Sequence, residues 1–99
     1  MSKQLFKADI TYETYMGVME SDTLYLMFNC TCDYTFLVDK KGQPVECEGS
    51  DAYIDMIKRV LDLEDYDGHD GSVKVTELGV GDELPPAVSE HFYGPRNRN

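Results

Sequence analysis

The feature that most constrains the fold is the alternation of apolar and polar residues along residues 4–14. In the stretch QLFKADITYET, apolar side chains occupy every second position: Phe6, Ala8, Ile10 and Tyr12 alternate with Lys7, Asp9, Thr11 and Glu13. Because successive side chains of a β-strand point to opposite faces, this period of two predicts a strand with one buried face. The rest of the chain must therefore supply a sheet and an apolar cover for it.

Two further segments have the composition of strands. Residues 22–32 alternate in the same way, and residues 34–38 form the run YTFLV, rich in aromatic and β-branched residues. Gly42 follows, and its freedom of φ suits a short hairpin loop. A fourth strand is predicted at 45–47 after Pro44, since proline is tolerated at the start or edge of a strand.

The period changes over residues 50–64, SDAYIDMIKRVLDLE. Apolar residues now recur at intervals of three and four, which predicts an amphipathic helix with Ser50 or Asp51 capping its first turn. Residues 72–78 are predicted to form another strand, and residues 87–93 one or two helical turns.

This order of elements predicts an α+β protein. We expect a small antiparallel β-sheet of 4–5 strands with one main α-helix (about 50–64) packed on one face, because that arrangement buries both apolar patterns. A chain of 99 residues fits a single domain with one modest core. The predicted domain covers residues 1–93, and residues 94–99 are predicted to be a flexible tail.

Charge narrows the class of function. The chain carries 19 acidic and 9 basic residues, for a formal net charge of −10, which is more than solubility requires. Direct nucleic-acid binding is disfavoured, because phosphate contacts need lysine and arginine, whereas a basic protein partner is favoured. With no apolar run near 18 residues and no recognisable secretory signal, we expect a cytoplasmic protein with reduced thiols.

The acid-rich stretch LDLEDYDGHDG at residues 61–71 does not fit a calcium-binding loop. If Gly68 is the sixth residue of such a loop, Leu63 and Lys74 occupy ligand positions, and neither side chain can bind calcium. If Gly71 is the sixth residue, Gly68 occupies a ligand position and has no side chain to offer. A weak divalent-cation site remains as an alternative.

A zinc site is also disfavoured, although a nominal ligand set exists in Cys30, Cys32, Cys47 and His69. Structural zinc sites place their first two cysteines two to four residues apart on a turn, whereas this C-x-C pair lies within a predicted strand. We interpret the pair as small buried hydrophobic residues. A disulfide between Cys32 and Cys47 is the other alternative, and a reducing compartment argues against it.

No motif for catalysis or cofactor binding occurs in the chain. It has neither a G-x-S-x-G nucleophile elbow nor a glycine-rich loop for nucleotide phosphates. We therefore predict a protein that is not an enzyme, with no catalytic residues, cofactor or metal.

The acids are concentrated between Glu46 and Asp70, where nine acids and two bases give a local charge of −7. Such runs are usually only solvated surface, but two tyrosines interleaved with these acids are typical interface anchors. The predicted partner-binding residues are Glu46, Glu48, Asp51, Tyr53, Asp55, Asp62, Glu64, Asp65, Tyr66, Asp67 and Asp70. At helical rise, Asp55 lies about 6 Å from Asp51 and about 10 Å from Asp62. These spacings are loosely comparable with those of DNA phosphates.

These patterns lead to the hypothesis of a small acidic binding protein that inhibits a basic nucleic-acid-handling protein, for example a nuclease. Phage-type anti-defence inhibitors, which act in the host cytoplasm, and immunity or antitoxin proteins work in this manner, some as mimics of nucleic acid. Reversing Asp62, Asp65 and Asp67 to lysine is then predicted to weaken partner binding while the fold survives.

Two other classes remain open at this point. The alternative is a non-catalytic structural or assembly subunit that forms a homo-oligomer, such as a homodimer, through an edge strand at 45–47 or the Met- and Tyr-bearing face of residues 23–31. A metal-binding protein or small enzyme is the third class.

Overall fold

The computed structural model describes residues 3–29, 34–79 and 84–93. Within these ranges the chain forms five strands and two helices: β1 (Lys3–Glu13), β2 (Met19–Asn29), β3 (Tyr34–Asp39), α1 (Asp51–Leu61), β4 (Tyr66–Gly68), β5 (Gly71–Leu78) and α2 (Pro86–Tyr93). The predicted α+β class, with an antiparallel sheet and a main helix, is confirmed. The predicted tail at 94–99 lies outside the described residues.

The strands form a single antiparallel sheet in the order β3-β2-β1-β5-β4, so the strongly alternating β1 lies at its centre. Ala8 of β1 pairs with Leu24 on one side and with Val75 on the other, which places these three side chains on the same face. β1 and β2 are joined by a hairpin in which Gly17 takes a φ of 78°, a conformation that favours glycine.

The main core lies between α1 and one face of the sheet. Met56, Ile57 and Val60 of α1 are fully buried. They pack against residues of β1, β2 and β5: Ala8, Ile10, Leu24 and Val73. The helical and the period-two patterns of the sequence therefore meet in one apolar layer.

The opposite face of the sheet is covered at one end by α2, where Val88 packs against Tyr25 and Val38. Only 8% of Tyr25 and 2% of Met27 is exposed to solvent. Tyr25 and Met27 are therefore not free surface for the assembly alternative, Tyr25 because it packs against Val88 of α2, and residues 30 and 31 of that face lie outside the described residues.

Three differences from the prediction concern the edges of the sheet and the end of α1. Residues 45–47 do not form a strand, because only a single bridge between Val38 and Pro44 continues the ladder there. The fifth strand is instead β4, which pairs with β5 through a tight turn within the acid-rich stretch. The predicted helix begins as expected after Ser50 but ends at Leu61 rather than at residue 64.

Candidate binding surface

The start of α1 is fixed by Ser50, a buried residue at the N-cap. Its Oγ accepts a hydrogen bond of 3.2 Å from the backbone N–H of Tyr53 and donates one of 2.6 Å to the carbonyl oxygen of Glu13. The first bond satisfies an otherwise free N–H of the first helical turn, and the second joins the helix to the end of β1. The acids that flank this end of α1 are therefore carried on a fixed framework.

The end of α1 is closed by a Schellman motif. The N–H of Glu64 donates to the carbonyl of Arg59, and the N–H of Leu63 donates to the carbonyl of Val60, each at 2.9 Å. Leu63 takes the left-handed position of this motif, with a φ of 56°. Glycine is the usual residue there, because a side chain adds about 1–2 kcal/mol of steric cost.

The strained leucine is also exposed to solvent. Leu63 is 43% exposed and its neighbour Leu61 is 44% exposed. Burial of Leu63 therefore compensates little of its backbone cost, and both leucines are exposed apolar side chains among acidic residues. A partner contact is one function that such a pair serves.

Three predicted acids share the outward side of α1. At 3.6 residues per turn, Asp51, Asp55 and Asp62 fall within about 40° of one another around the helix axis, opposite the buried residues. Lys58 lies on the same side and interrupts the row. The helix itself is therefore close to neutral, and most of the acidic charge lies at its two ends.

Arg59 engages three of the predicted binding residues. Its Nε lies 3.4 Å from Oδ2 of Asp55, and its Nη1 lies 3.7 Å from Oε1 of Glu64. Its guanidinium also lies over the ring of Tyr66, 3.7 Å from the ring centroid. These residues form a local network, so they are less available to a partner than the sequence suggests.

Two more predicted residues stabilise the hairpin of β4 and β5. Oδ1 of Asp65 accepts a hydrogen bond of 2.8 Å from the backbone N–H of Val75. The hydroxyl of Tyr66 donates to Oδ1 of Asp70 at 3.1 Å, and this bond raises the pKa of Tyr66. Asp67 pairs with Ser72 and so lies on the face of the strand opposite to Tyr66.

The predicted acidic row is thus divided into two groups. One group precedes and begins α1, with Glu46, Glu48 and Asp51 all exposed; the other follows its end, with Asp62 and Glu64 exposed. Eleven residues at helical rise separate Asp51 from Asp62 by about 16 Å. The structure brings the two groups to the α1 side of the sheet but not into one continuous row.

The two faces of the sheet differ in their charged residues. Asp22 lies on the α1 side, where its Oδ2 accepts a hydrogen bond from the hydroxyl of Tyr12. Lys7 and Lys74 lie on the opposite face, where Lys74 pairs with Asp9 and Lys7 lies 4.0 Å from the same carboxylate. The strand alternation therefore adds acids to the α1 side, whereas on the opposite face the two lysines are offset by Asp9 and Glu13.

A cavity of about 340 Å³ lies where the β1–β2 hairpin meets the start of α1. The rings of Tyr12 and Tyr53 lie edge to face with centroids 4.7 Å apart. The hydroxyl of Tyr15 donates a 2.6 Å hydrogen bond to the carbonyl of Gly49, which links the hairpin to the segment before α1. Glu20 and Glu48 also line the cavity.

The tyrosines of this cavity lie in a negative environment. Burial raises the pKa of Tyr12 to about 12, with a further contribution from the carboxylate of Asp22. Burial also raises the pKa of Tyr53, again with a contribution from Asp22. A negative field of this kind disfavours ionisation of either hydroxyl.

Sequence analysis identified Tyr53 and Glu48 of this cavity but missed Tyr12, Tyr15 and Glu20. For Tyr12 and Glu20, the alternation of the strands could have indicated their position. Because Leu24 lies on the buried face, the even-numbered positions of β2 extend that face back to Glu20, beside Tyr12 of the paired strand.

Metal ligation finds no support in the part of the chain that the structure describes. There, no group of three or more His, Cys, Asp or Glu side chains is arranged to hold a metal ion. Cys47 is an exposed free thiol and His69 is exposed. Cys30 and Cys32, the other residues of the nominal zinc set, lie outside the described residues.

Comparisons with protein-family models, with curated proteins and with solved structures each find no match to this chain. Among the described helices, none has the length and apolar character needed to cross a membrane.

Proposed function

We propose that this protein is a non-catalytic binding protein that occludes the basic surface of a nucleic-acid-handling protein. The observation that carries the proposal is the excess of acids on the α1 side of the sheet. The acids at the two ends of α1 outnumber its basic residues, Lys58 and Arg59, whereas Lys7 and Lys74 on the opposite face are offset by Asp9 and Glu13. A fixed field of one sign steers a cationic partner and speeds its association.

The spacing of the two acidic groups supports competition with nucleic acid. Asp51 and Asp62 lie about 16 Å apart on the outward side of a helix. The phosphate rows of duplex DNA flank a major groove about 12 Å wide. A protein surface that receives two phosphate rows has its cations at a comparable separation, so the ends of α1 fit such a surface.

The exposed leucines complete this surface. Leu61 and Leu63 are each more than two-fifths exposed and lie beside Asp62. Interfaces gain much of their affinity from a few well-packed residues near the centre, whereas charges at the rim set association rate and specificity. The proposed contact therefore combines two leucines with acids on either side.

The test compares two charge-reversal variants. D51K/D62K reverses one exposed acid in each group, and E13K/E90K makes the same change in net charge away from the α1 side. A partner captured at low salt and released at high salt is assayed for nucleic-acid binding or cleavage with increasing wild-type protein. We expect inhibition, a loss of affinity of at least about tenfold in D51K/D62K, and a change below about threefold in E13K/E90K.

Two results would reject the proposal. One is a captured partner whose nucleic-acid binding and cleavage are unaffected when the complex is saturated. The other is an equal loss of affinity in both variants, because that would mean that only total charge matters.

The assembly alternative retains one supporting observation, the tip of the β1–β2 hairpin. Tyr15 and Met16 are 82% and 86% exposed, and Val18 and Met19 are also exposed. Sedimentation of the wild type and of M16S/V18S distinguishes the two functions. A homo-oligomer that dissociates in M16S/V18S would favour assembly, whereas a wild-type monomer would exclude it.

A further inference from the structure

The cavity between the β1–β2 hairpin and α1 has the lining of a site for an organic cation. We propose that it binds an alkylguanidinium group, the chemistry of an arginine side chain. The inference does not depend on the outward side of α1 binding a partner, because the cavity lies beside that surface and shares only Glu48 and Tyr53 with the predicted partner-binding residues.

The aromatic walls provide the first argument. Tyr12, Tyr15 and Tyr53 all line the cavity, and the first and last are in edge-to-face contact at 4.7 Å. The faces of tyrosine rings attract cations by about 0.5–2 kcal/mol each, depending on desolvation, and several such rings recur in sites for organic cations. The bond between Tyr15 and the Gly49 carbonyl fixes the third wall.

The carboxylates provide the second argument. Glu20 and Glu48 line the cavity, and Asp22 is bonded to Tyr12 at its side. The N-terminus of α1 lies nearby and contributes a positive end equivalent to only about half a charge. The field in the cavity is therefore negative, and an anion is disfavoured.

The available hydrogen bonds select among cations. Carboxylates only accept hydrogen bonds, so a ligand held between Glu20 and Glu48 needs several donors. A guanidinium group offers five N–H donors in a plane that also stacks on aromatic rings, whereas a quaternary ammonium group offers none. The volume of about 340 Å³ lies at the lower end for ligand pockets, which suits a single side-chain-sized group.

The test is a titration of the ¹⁵N-labelled protein followed by amide chemical shifts. The probe is N-acetyl-arginine methylamide, and N-acetyl-citrulline methylamide is its uncharged counterpart of nearly equal shape. We expect saturable shifts of the amides of Thr14, Gly49 and Ser50, with a Kd on the order of 1 mM, and no saturation with the citrulline compound.

Matched variants assign the effect to the cavity. E20Q/E48Q is expected to weaken binding of the arginine probe at least about tenfold, whereas E77Q/E90Q, with the same change of charge at exposed sites elsewhere, is expected to change it less than about twofold. Y15L tests the aromatic wall, since Tyr15 is exposed and its replacement does not disturb the core. It is expected to weaken binding several-fold.

The source of the guanidinium is resolved by two further ligands. Saturable binding of a capped Gly-Gly-Arg-Gly-Gly peptide supports an arginine carried on a partner chain. Binding of ethylguanidinium without binding of the peptide supports a free small cation. D62K, which alters a residue about 16 Å from the start of α1, is expected to bind the arginine probe within about threefold of wild type, which separates this site from the far end of the proposed partner surface.

Equal binding of the arginine and citrulline compounds would overturn the inference. So would retention of affinity in E20Q/E48Q, or saturable shifts confined to amides remote from the cavity.

Discussion

The Oγ of Ser50 bonds to the carbonyl oxygen of Glu13 at a distance of 2.6 Å, although 37 residues separate them in the chain. The same oxygen caps α1 by accepting from the N–H of Tyr53. One buried hydroxyl thus fixes the helix to the central strand and sets the position of both the acidic surface and the cavity.

Ser50→Ala is expected to lower the free energy of unfolding by about 1–2 kcal/mol, because it removes the cap and leaves the Glu13 carbonyl without its donor. Ser50→Asp should lose at least as much, since a carboxylate still caps the helix but places a second acceptor against the Glu13 carbonyl in a buried position. Urea denaturation measures both, with Ser21→Ala, an exposed serine, as the control. A smaller loss in the aspartate variant than in the alanine variant would show that the cap matters more than the bond to Glu13.

Leu63→Gly is expected to raise the free energy of unfolding by about 0.5–1 kcal/mol and to weaken partner binding. The gain follows because glycine adopts the left-handed conformation without steric cost, and the loss because an exposed apolar contact disappears. Chemical denaturation of this variant measures the free energy of unfolding, and a binding titration of the same variant measures its affinity for the partner. A destabilised variant would mean that the leucine side chain contributes to packing more than its exposure indicates.

Asp65→Ala is expected to cost about 1–2 kcal/mol, because the N–H of Val75 loses its acceptor, whereas Asp67→Ala should be nearly neutral. Denaturation of the two alanine variants side by side makes the comparison. The comparison also bears on the triple reversal of Asp62, Asp65 and Asp67. Because that variant removes the structural bond of Asp65, a loss of partner binding could not be distinguished from a loss of stability. If the two variants are equally stable, Asp65 has no structural role.

Stability is expected to fall as the pH rises from about 10 to 12. The pKa of Tyr12 is raised to about 12 from its ordinary value of 10.0, so the folded protein retains the phenolic proton more tightly than the unfolded chain. The corresponding stabilisation is complete below pH 10 and is lost as the pH approaches the folded pKa. Tyr53 and Tyr66 contribute in the same direction.

Urea denaturation at pH 8, 10 and 11, compared between wild type and Tyr12→Phe, measures this effect. The phenylalanine variant should show a shallower decline above pH 10. A decline of the same slope in both proteins would assign it to other groups.

The sequence allowed prediction of elements whose periodicity reflects burial. The alternation around Ile10 and the helical spacing around Ile57 are both consequences of one apolar layer, so β1 and α1 were located correctly. β4 was missed because a three-residue edge strand in an acidic stretch has too few positions to show a period. The helix end was overextended because left-handed Leu63 carries no glycine signal.

The candidate site was predictable in composition but not in geometry. The acids of residues 46–70 were identified, yet their separation into two groups depends on the length of α1 and on Arg59, which engages Asp55 and Glu64. The cavity required a contact between Tyr12 and Tyr53, which are 41 residues apart. No local pattern encodes a long-range contact of that kind.

β1 pairs on both sides, and its alternation places Ile10 in the core while Lys7 and Asp9 face the other way. The same alternation thus determines which side chains of β1 enter the core and which charged side chains face the other side of the sheet. Point substitutions can change either face independently during evolution. An insertion or deletion of one residue within this strand would exchange the two faces at once, so its length should tolerate less change than its composition.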